Sequence, residues 1–424
     1  MNKSIAVIGQ GFVGGSLKQV FMEHKTNVHT FDIKHTTKQI VKNQDNKTEE
    51  TKYTSLEELV RESEQEKTFS RIYFVCLPTP MYEDGSADIS IVESVLDHLS
   101  QFQGNRIAVV KSTVPPGSTE QWNKKYQNTG LKVIFNPEFL TEANALNDMR
   151  NQTHIILGGP RPHINKVKQL FQNIFTNIPI VKTSSTTAEM VKYFINCFLA
   201  TKVSFANEMY QLCEKLDEKG MNIDYDKVVE YAKFDKRIGT SHWSVPGPVA
   251  THTGEFDKGF GGHCFPKDIN ALMSIAKELK VDTKVLKGVW DKNLEVRKEK
   301  DWEFMHGRAV SKKPIRQYKK NMFEQAQWLF EQHLIDDQEI VKAFYSPCEN
   351  EIRLLEVTNC LDDVVLPDVF PVGFQSRPDL GIDYNSTIIL LSLPEWELVK
   401  KGELKLPNGW DYDKLICLYK NDIK

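Results

Sequence analysis

The stretch IAVIGQGFVGGSLKQVF, residues 5–21, decides the fold of the first part of the chain. A short apolar run leads into Gly9, Gly11 and Gly14, and an amphipathic helical pattern follows. In this G-x-G-x-x-G spacing the first glycine permits a tight turn and the second lets the backbone approach a pyrophosphate. The third lets the helix pack close to the strand. The pattern predicts a dinucleotide-binding unit, with a glycine turn of some other α/β protein as the alternative. The residues expected to line this cofactor loop are Gly9, Gly11, Phe12, Val13 and Gly14.

An acidic residue stands where such a unit holds the ribose of its cofactor. The strand-like segment NVHTF, residues 27–31, is followed by Asp32, which lies 21 residues after Gly11. A carboxylate ~20 residues beyond the glycines accepts hydrogen bonds from the ribose 2′-hydroxyl, and it repels the 2′-phosphate of NADP. We therefore expect NAD as cofactor, against the alternative that Asp32 only ends a strand.

Strand-like segments continue to alternate with helical ones. They are RIYFVCLPTP (71–80), NRIAVVKSTVPPGST (105–119), LKVIFNPEFL (131–140) and THIILGG (153–159). This alternation predicts an α/β fold with a Rossmann-type, doubly wound parallel sheet. Ligands of such sheets bind at the carboxyl ends of the strands, which is where Thr79, Thr113 and Glu138 stand. Each alone is more often a cap or turn residue, but their shared position favours a ligand-binding rim.

One long helix follows this sheet. Residues 185–220 begin with Ser and Thr caps and end at a glycine, and residues 193–205 are apolar around much of the helix. Such a surface is buried against other elements or in a homodimer interface. Lys192 and Asn196 are four residues apart, hence on one face. The lysine either faces an anionic partner in a site or extends to the surface.

The segment GFGGHCFPKD, residues 259–268, places a cysteine in an unusual setting. Pro266 suits the first turn of a helix, so Cys264 lies at or just before a helix N-terminus, a position that generally favours the thiolate form. Asp268 lies one turn further on the same face. The segment therefore favours an activated thiol, with an inert buried cysteine as the alternative.

Composition excludes several partners. The chain has 424 residues, of which 40% are hydrophobic and 26% charged, as in soluble proteins of two to four domains. A net charge of −3 provides no basic footprint for nucleic acid or anionic lipid. We expect no signal peptide and no transmembrane helix. Seven scattered cysteines without CxxC pairs or zinc-like spacing predict a cytoplasmic protein without a metal site.

Taken together, the motifs resemble the UDP-glucose/GDP-mannose dehydrogenase family over roughly residues 3–308. The segments that carry the resemblance, in order, are GQGFVG (9–14), VCLPTP (75–80), DGSAD (84–88), KSTVPPGST (111–119), NPEFLTEANALND (136–148), AEMVKYFINCFLATKVSFANE (188–208), DKRIG (235–239) and GFGGHCFPKD (259–268). The glycine motif alone would not be specific, but the set is.

The resemblance implies NAD-dependent, four-electron oxidation of the C6 hydroxyl of a nucleotide sugar to a carboxylate, as in polysaccharide biosynthesis. It implies that Cys264 attacks the aldehyde intermediate, giving a thiohemiacetal, then a thioester that water hydrolyses. Lys192 and Asn196 would stabilise the oxyanion. UDP-glucose is the favoured substrate, and GDP-mannose or a UDP-N-acetylhexosamine are the rivals. The other classes considered are a two-electron NAD dehydrogenase without a thioester and a non-catalytic nucleotide-sugar-binding protein.

The resemblance also implies the remaining roles. Thr113 and Asp268 would hold a water molecule, with Asp268 assisting proton transfer, and Glu142 would be the general base of thioester hydrolysis. The residues implied for the NAD site beyond the glycine loop are Asp32, Thr79 and Thr113. Those implied for the nucleotide-sugar site are Glu138, Phe139, Leu140, Glu142, Lys192, Asn196 and Gly261.

The chain departs from the family pattern in two places. The loop VATHTGEFDK, residues 249–258, is longer than usual, and no signature of the family's second nucleotide-type domain follows residue 308. We therefore expect three domains: a NAD-binding domain (1–183), a central helical domain with the cysteine (184–311), and a small α+β accessory domain (312–424). In the last, 321–335 and 337–345 read as helices, 351–358 and 386–393 as strands, and 394–407 as a helix and turn.

Overall fold

The computed structural model describes residues 3–43, 47–141, 144–248 and 254–311, and the backbone of five strands beyond residue 339. The chain divides into two compact units, Met1–Lys312 and Lys313–Lys424. The finer division of the first unit into a cofactor and a central domain stays a prediction.

A nine-stranded sheet organises the first unit. Its strands are β1 (Ser4–Ile8), β2 (Asn27–Phe31), β3 (Gln39–Lys42), β4 (Glu49–Tyr53), β5 (Phe69–Val75), β6 (Arg106–Val110), β7 (Leu131–Phe135), β8 (Ile155–Gly158) and β9 (Ile180–Thr183). They lie in the order β3-β4-β2-β1-β5-β6-β7-β8-β9. The predicted α/β fold with a doubly wound, mainly parallel sheet is confirmed.

Two pairings in this mainly parallel sheet are antiparallel, which the sequence pattern did not indicate. Strand β3 runs antiparallel to β4, because a short connection joins them as a hairpin and leaves no room for a crossover. Strand β8 meets β7 antiparallel, at the pair Phe135 and Gly158. Among the described residues between these strands is the six-residue helix α5 (Ala145–Arg150), which is too short for a full crossover unit.

Helices cover both faces of the sheet. Besides α5 they are α1 (Phe12–Glu23), α2 (Leu56–Ser63), α3 (Ser90–Ser100), α4 (Ser118–Lys125) and α6 (Arg161–Gln172). Successive residues of β1 point to opposite faces, so Ile5 and Val7 pack in the apolar layer that contains α1 and α6 residues. Ala6 and Ile8 pack in the opposite layer, with α2, α3 and α4.

Four α-helices follow the sheet among the described residues up to Ser311. They are α7 (Ser185–Glu218), α8 (Tyr225–Ala232), α9 (Phe265–Glu278) and α10 (Lys284–Val296). Helix α7 matches the long helix predicted from the sequence, and the side chain of Ser184 caps it by accepting a hydrogen bond from the backbone N–H of Thr187. Cys197 and Ala200 of α7 pack against Ile269 of α9 and Val289 of α10. This packing fixes the helix that carries Lys192 and Asn196 against the helix that begins after Cys264.

The second unit contains a five-stranded sheet. Its strands are β10 (Ile340–Ser346), β11 (Glu351–Thr358), β12 (Val372–Phe374), β13 (Asn385–Ser392) and β14 (Ile416–Lys420), in the order β12-β13-β11-β10-β14. β11 and β13 match predicted strands. The prediction of a helix over 337–345 is wrong, because this segment contains strand β10. β-branched and aromatic residues dominate IVKAFY and favour a strand. The periodicity of so short an apolar run does not tell a strand from a helix. The segments 321–335 and 394–407 lie outside the described residues.

Candidate active site

The glycine loop has the geometry of a dinucleotide-binding turn. Gly9 has a φ of +88°, and a Cβ there would lie 2.3 Å from the carbonyl oxygen of Cys76. A Cβ on Gly14 would lie 1.9 Å from the carbonyl oxygen of Gly9, so helix and strand are in direct contact. A Cβ on Gly11 would meet no atom within 4 Å. The open side of Gly11 at the start of α1 is where a pyrophosphate would approach the N–H groups of the helix.

Asp32 is held beside this loop. Its Oδ2 accepts a hydrogen bond of 2.7 Å from the backbone N–H of Gln10, and its Oδ1 accepts one of 3.0 Å from that of Lys34. A carboxylate has about four acceptor positions, so these two bonds fix its orientation and leave capacity for the ribose hydroxyls of NAD.

The predicted rim forms at the ends of β5, β6 and β7. These strands are parallel neighbours, so the residues that follow them meet at one edge of the sheet. Thr79 and Thr113 are buried there, and Glu138 follows β7. The hydroxyl of Ser112 accepts a hydrogen bond of 2.9 Å from the N–H of Leu77, which ties the first two loops together.

Lys192 extends from α7 to this rim. Its Nζ donates to the backbone carbonyl of Glu138 at 2.7 Å and to Glu138 Oε1 at 3.0 Å. Burial works against the charge of Glu138, but the attraction of Lys192 and the N–H of Leu140 hold the pKa of this carboxyl below its ordinary value. The ring of Phe139 lies 5.8 Å from Lys192 Nζ. The lysine therefore has the anionic partner expected for a buried position.

Cys264 immediately precedes α9 and is half-buried. The buried carboxylate of Asp268, one turn further, accepts a hydrogen bond of 2.5 Å from Asn196 Nδ2 and another from Lys267 Nζ. The pKa of Lys192 is raised: burial opposes its charge, but the charges of Glu138, Cys264 and Asp268 outweigh burial. We call Cys264, Lys192, Asn196 and Asp268 the cysteine cluster.

Gly261 has a structural explanation that needs no ligand. A Cβ there would lie 2.1 Å from Arg297 Nη2 and 2.2 Å from Asp301 Oδ1. These two side chains form a buried ion pair at 2.9 Å directly against the glycine. The other oxygen of Asp301 accepts a hydrogen bond of 2.8 Å from the N–H of Gly262. The ion pair thus holds the loop that precedes Cys264. The contact of Gly261 with a sugar nucleotide stays a prediction.

Lys111 is a buried residue of the rim that the sequence analysis did not single out. Its Nζ donates a hydrogen bond of 2.8 Å to Asn136 Oδ1. Burial lowers its pKa to about 8, although the charges of Cys76 and Glu138 act in the opposite direction. The sequence feature that could have pointed to Lys111 as a rim residue is its position directly after the apolar strand segment IAVV.

Glu189 is a second such residue. Its fully buried carboxylate accepts hydrogen bonds from the backbone N–H groups of Gly117, at 2.6 Å, and Thr119, at 2.9 Å. These groups lie at the start of α4, so Glu189 of α7 fixes the loop that contains Thr113. Burial raises the pKa of this carboxyl. The sequence shows that Glu189 lies near the start of α7, but it does not show that the N–H groups of Gly117 and Thr119 are its partners.

Glu142 lies outside the described residues. In the part of the chain that the structure describes, no group of three or more His, Cys, Asp or Glu side chains is arranged to hold a metal ion. No helix in the same part is long and apolar enough to cross a membrane.

Comparison with known proteins assigns this arrangement to a family. Residues 3–178 match the model of the UDP-glucose/GDP-mannose dehydrogenase family, NAD binding domain, and residues 186–295 match the central domain of the same family. The chain belongs to the UDP-glucose/GDP-mannose dehydrogenase family. The expected resemblance is thereby confirmed, and NAD is confirmed as the cofactor of this domain.

Individual relatives agree with the family. The chain is 37% identical over 227 residues to the UDP-glucose 6-dehydrogenase of Rickettsia bellii, a match over 52% of this chain and 49% of that protein. It is 31% identical over 309 residues to UDP-glucose 6-dehydrogenase TuaD of Bacillus subtilis, over 69% of this chain and 63% of the relative. The solved structure of a UDP-glucose dehydrogenase from Pyrobaculum islandicum is similar at 25% identity and a TM-score of 0.56, over 79% of this chain and 72% of that one. The chain spans about half the length of most curated relatives it matches.

Proposed function

We propose that this protein is an NAD-dependent dehydrogenase that oxidises the C6 hydroxyl of a nucleotide sugar to a carboxylate, with UDP-glucose as substrate and UDP-glucuronate as product. The observation that carries the proposal is the cysteine cluster, which is connected to the rim of the NAD-binding domain through the bond of Lys192 to Glu138. An alcohol dehydrogenase that stops at the aldehyde needs no thiol, whereas a cysteine nucleophile provides a route from the aldehyde to the acid through a thioester.

Lys192 and Asn196 are suited to stabilise negative charge on the reacting oxygen. Lys192 stays protonated in its buried position, and two of its three N–H groups are accounted for by Glu138 within the described residues. One Asn196 N–H bonds to Asp268, which orients the amide. Preorganised donors of this kind stabilise an alkoxide or a tetrahedral oxyanion without reorganisation.

Cys264 is suited to the second oxidation. In the proposed reaction its sulfur forms a bond to the C6 aldehyde carbon, and the carbonyl oxygen takes up a proton to give a thiohemiacetal. Loss of a hydride from C6 and of a proton from the hydroxyl oxygen on C6 converts this adduct into a thioester. The glycine loop and Asp32 would hold NAD, which would supply the hydride acceptor for each of the two oxidations.

Water then releases the acid. Thr113 and Asp268 are proposed to hold this water, and Glu142 to remove its proton as it attacks the thioester carbon. The C–S bond breaks and the proton returns to the Cys264 thiolate. Asp268 is oriented for proton transfer by the hydrogen bonds from Asn196 and Lys267.

UDP-glucose is proposed because the relatives from Rickettsia bellii and Bacillus subtilis described above carry the name UDP-glucose 6-dehydrogenase. The test is the yield of NADH from the purified protein with UDP-glucose, GDP-mannose and a UDP-N-acetylhexosamine, each at limiting concentration. About two NADH per UDP-glucose is expected. A yield of one NADH per sugar with release of aldehyde would favour a two-electron dehydrogenase. No formation of NADH with any of the three sugars would favour a non-catalytic binding protein.

A homodimer through α7 is also proposed. This helix exposes Met190, Phe194, Phe198, Phe205 and Leu212, which follow one another at helical spacing, and Phe194 stacks on Phe198 with centroids 6.5 Å apart. An exposed apolar stripe on a helix marks an interaction surface. A cytoplasmic location is proposed as well, in keeping with free thiols at Cys76, Cys197, Cys213 and Cys264.

A further inference from the structure

Lys111 is a buried cation that the proposed reaction does not use. It directly follows β6 at the rim and is 3% exposed, and burial lowers its pKa to about 8. Within the part of the chain that the structure describes, Lys111 forms no ion pair. Its Nζ donates to a neutral residue, Asn136, at 2.8 Å to Oδ1 and 3.5 Å to the backbone carbonyl. A buried charge without a direct counterion destabilises a fold, so its presence at the rim indicates a role other than stability.

Asn136 is the centre of the contacts that fix this part of the rim. It is buried directly after β7, and its backbone N–H donates to the carbonyl of Val110 in β6 at 2.9 Å. Its Nδ2 donates to the carbonyl of Ile156 in β8 at 2.9 Å. Lys111 supplies the donor for the side-chain oxygen of the same amide. The lysine therefore helps to fix the residue from which the loop of Glu138 begins.

Glu138 lies two residues after Asn136 and interacts with two ammonium groups. Lys192 bonds to it directly, through the contacts at 2.7 and 3.0 Å described above. Burial opposes the charge of Glu138, whereas Lys192, the N–H of Leu140 and, through space, Lys111 hold its pKa below the ordinary value. Lys111 thus acts on Glu138 in two ways: the bond to Asn136 fixes the loop, and the charge favours the ionised carboxylate.

The other titratable groups that act on Lys111 are Cys76, which follows β5, and Lys192 of α7. Burial raises the pKa of the Cys76 thiol to about 12, so this thiol is neutral at physiological pH. Lys192 carries the same charge as Lys111 and repels it. Among the described groups that interact with Lys111, Glu138 is therefore the one whose negative charge the lysine stabilises at neutral pH.

We propose that Lys111 is a positioning residue of the oxidation, which holds Glu138 in place and ionised so that Lys192 directs its ammonium at the reacting oxygen. The proposal rests on the proposed function, because it takes Lys192 as the group that stabilises this oxygen. Lys111 acts through Asn136 and Glu138 and is not itself a catalytic residue. A misplacement of about 1 Å near a reacting centre can lower a rate about 100-fold, so a rigid rim contributes to rate as well as to structure.

The test is steady-state kinetics of the full chain with UDP-glucose and NAD+, from about pH 4.5 to pH 8. In Lys111→Met, kcat at neutral pH should fall about tenfold or more. The acidic limb of kcat should move to higher pH by about half a unit or more, because Glu138 loses a favourable charge. The dissociation constant of NAD+, measured by calorimetry, should stay at the wild-type value.

Two further variants separate the charge from the hydrogen bond. Lys111→Gln removes the same charge but retains N–H groups, so it should show the same shift of the acidic limb with a smaller loss of kcat. Lys124→Met, at an exposed lysine of α4, is the matched control and should have the kcat and pH profile of the wild type.

Three results would overturn the inference. A wild-type kcat and pH profile in Lys111→Met would show that Glu138 and Lys192 keep their geometry without the lysine. A thermal midpoint lowered at pH 7 in both Lys111 variants would assign the lysine to the fold alone. Absence of NADH formation by the wild type with any of the three sugars would overturn the proposed function itself, and this inference with it.

Discussion

The charge of Lys111 should make a measurable contribution to the pH dependence of stability. Lys111 is buried at the rim, and burial lowers its pKa from 10.5 to about 8. Between these values the unfolded chain holds a proton that the folded protein has released. The free energy of unfolding therefore rises with pH in this window, and below pH 8 the destabilisation from the buried charge is fully present.

The magnitude follows from the size of the shift. One pKa unit corresponds to ~1.36 kcal/mol, so a shift from 10.5 to about 8 destabilises the fold by roughly 3 kcal/mol at neutral pH. Lys111→Met removes the charge and keeps much of the side-chain volume. It also leaves Asn136 Oδ1 without its donor, at a cost of about 1–3 kcal/mol. At pH 7 the variant should therefore be as stable as the wild type or more stable.

Urea unfolding of both proteins from pH 7 to pH 10.5 gives the assay. The stability of the variant relative to the wild type should fall by roughly 3 kcal/mol across this range, as the wild type loses its buried charge. Titrating groups that do not sense the charge of Lys111 are common to both proteins and cancel in the difference, whereas Cys76, Glu138 and Lys192 interact with it. Lys124→Met, at an exposed lysine of α4, controls for removal of a lysine as such. A difference that stays constant with pH would refute the reasoning.

Three further perturbations test the cofactor loop, the choice of cofactor and the dimer. Gly11→Ala should leave the thermal midpoint unchanged and weaken NAD+ binding. Gly14→Ala should lower the thermal midpoint, because its Cβ would lie 1.9 Å from a backbone oxygen. Equal effects of the two variants on the midpoint and on NAD+ binding would contradict these separate roles. Asp32→Ala should weaken NAD+ binding by about 1.5–3 kcal/mol in calorimetry, and a wild-type preference for NADP would disprove the assignment of Asp32. Replacing Phe194 and Phe198 together by Ser should shift a dimer to monomer in sedimentation velocity, and a monomeric wild type at micromolar concentration would end the dimer proposal.

The geometry of the cofactor loop could be predicted from the local spacing of residues in the sequence. The constraints on Gly9, Gly11 and Gly14 act between atoms within a few residues or across one strand, so the motif contains its own geometry. The same holds for Cys264, because Pro266 defines the start of α9 from two residues away.

The partners of the site residues could not be predicted in this way. Lys192 bonds to Glu138, 54 residues earlier, and Asn196 bonds to Asp268, 72 residues later. These contacts depend on how α7 packs against the sheet and α9, which no local pattern specifies. The environment of Lys111 likewise depends on burial by the fold.

The second unit shows that short strands are difficult to predict from sequence periodicity alone. The helix predicted over 337–345 is strand β10, which pairs on both sides, with β11 and β14. Pairing with distant strands decides the structure of a short apolar run, whereas periodicity within the run does not.

The central claim is that the sugar becomes covalently bound to Cys264 during its oxidation. The most direct test is intact-mass spectrometry of Glu142→Gln after incubation with UDP-glucose and NAD+, because slow hydrolysis should let the thioester accumulate. We expect an adduct with the mass of the UDP-glucuronyl group, located at Cys264 by peptide mapping and absent when Cys264→Ser is added to the variant. A Cys264→Ser protein that still converts UDP-glucose to the acid at the wild-type rate would contradict the claim.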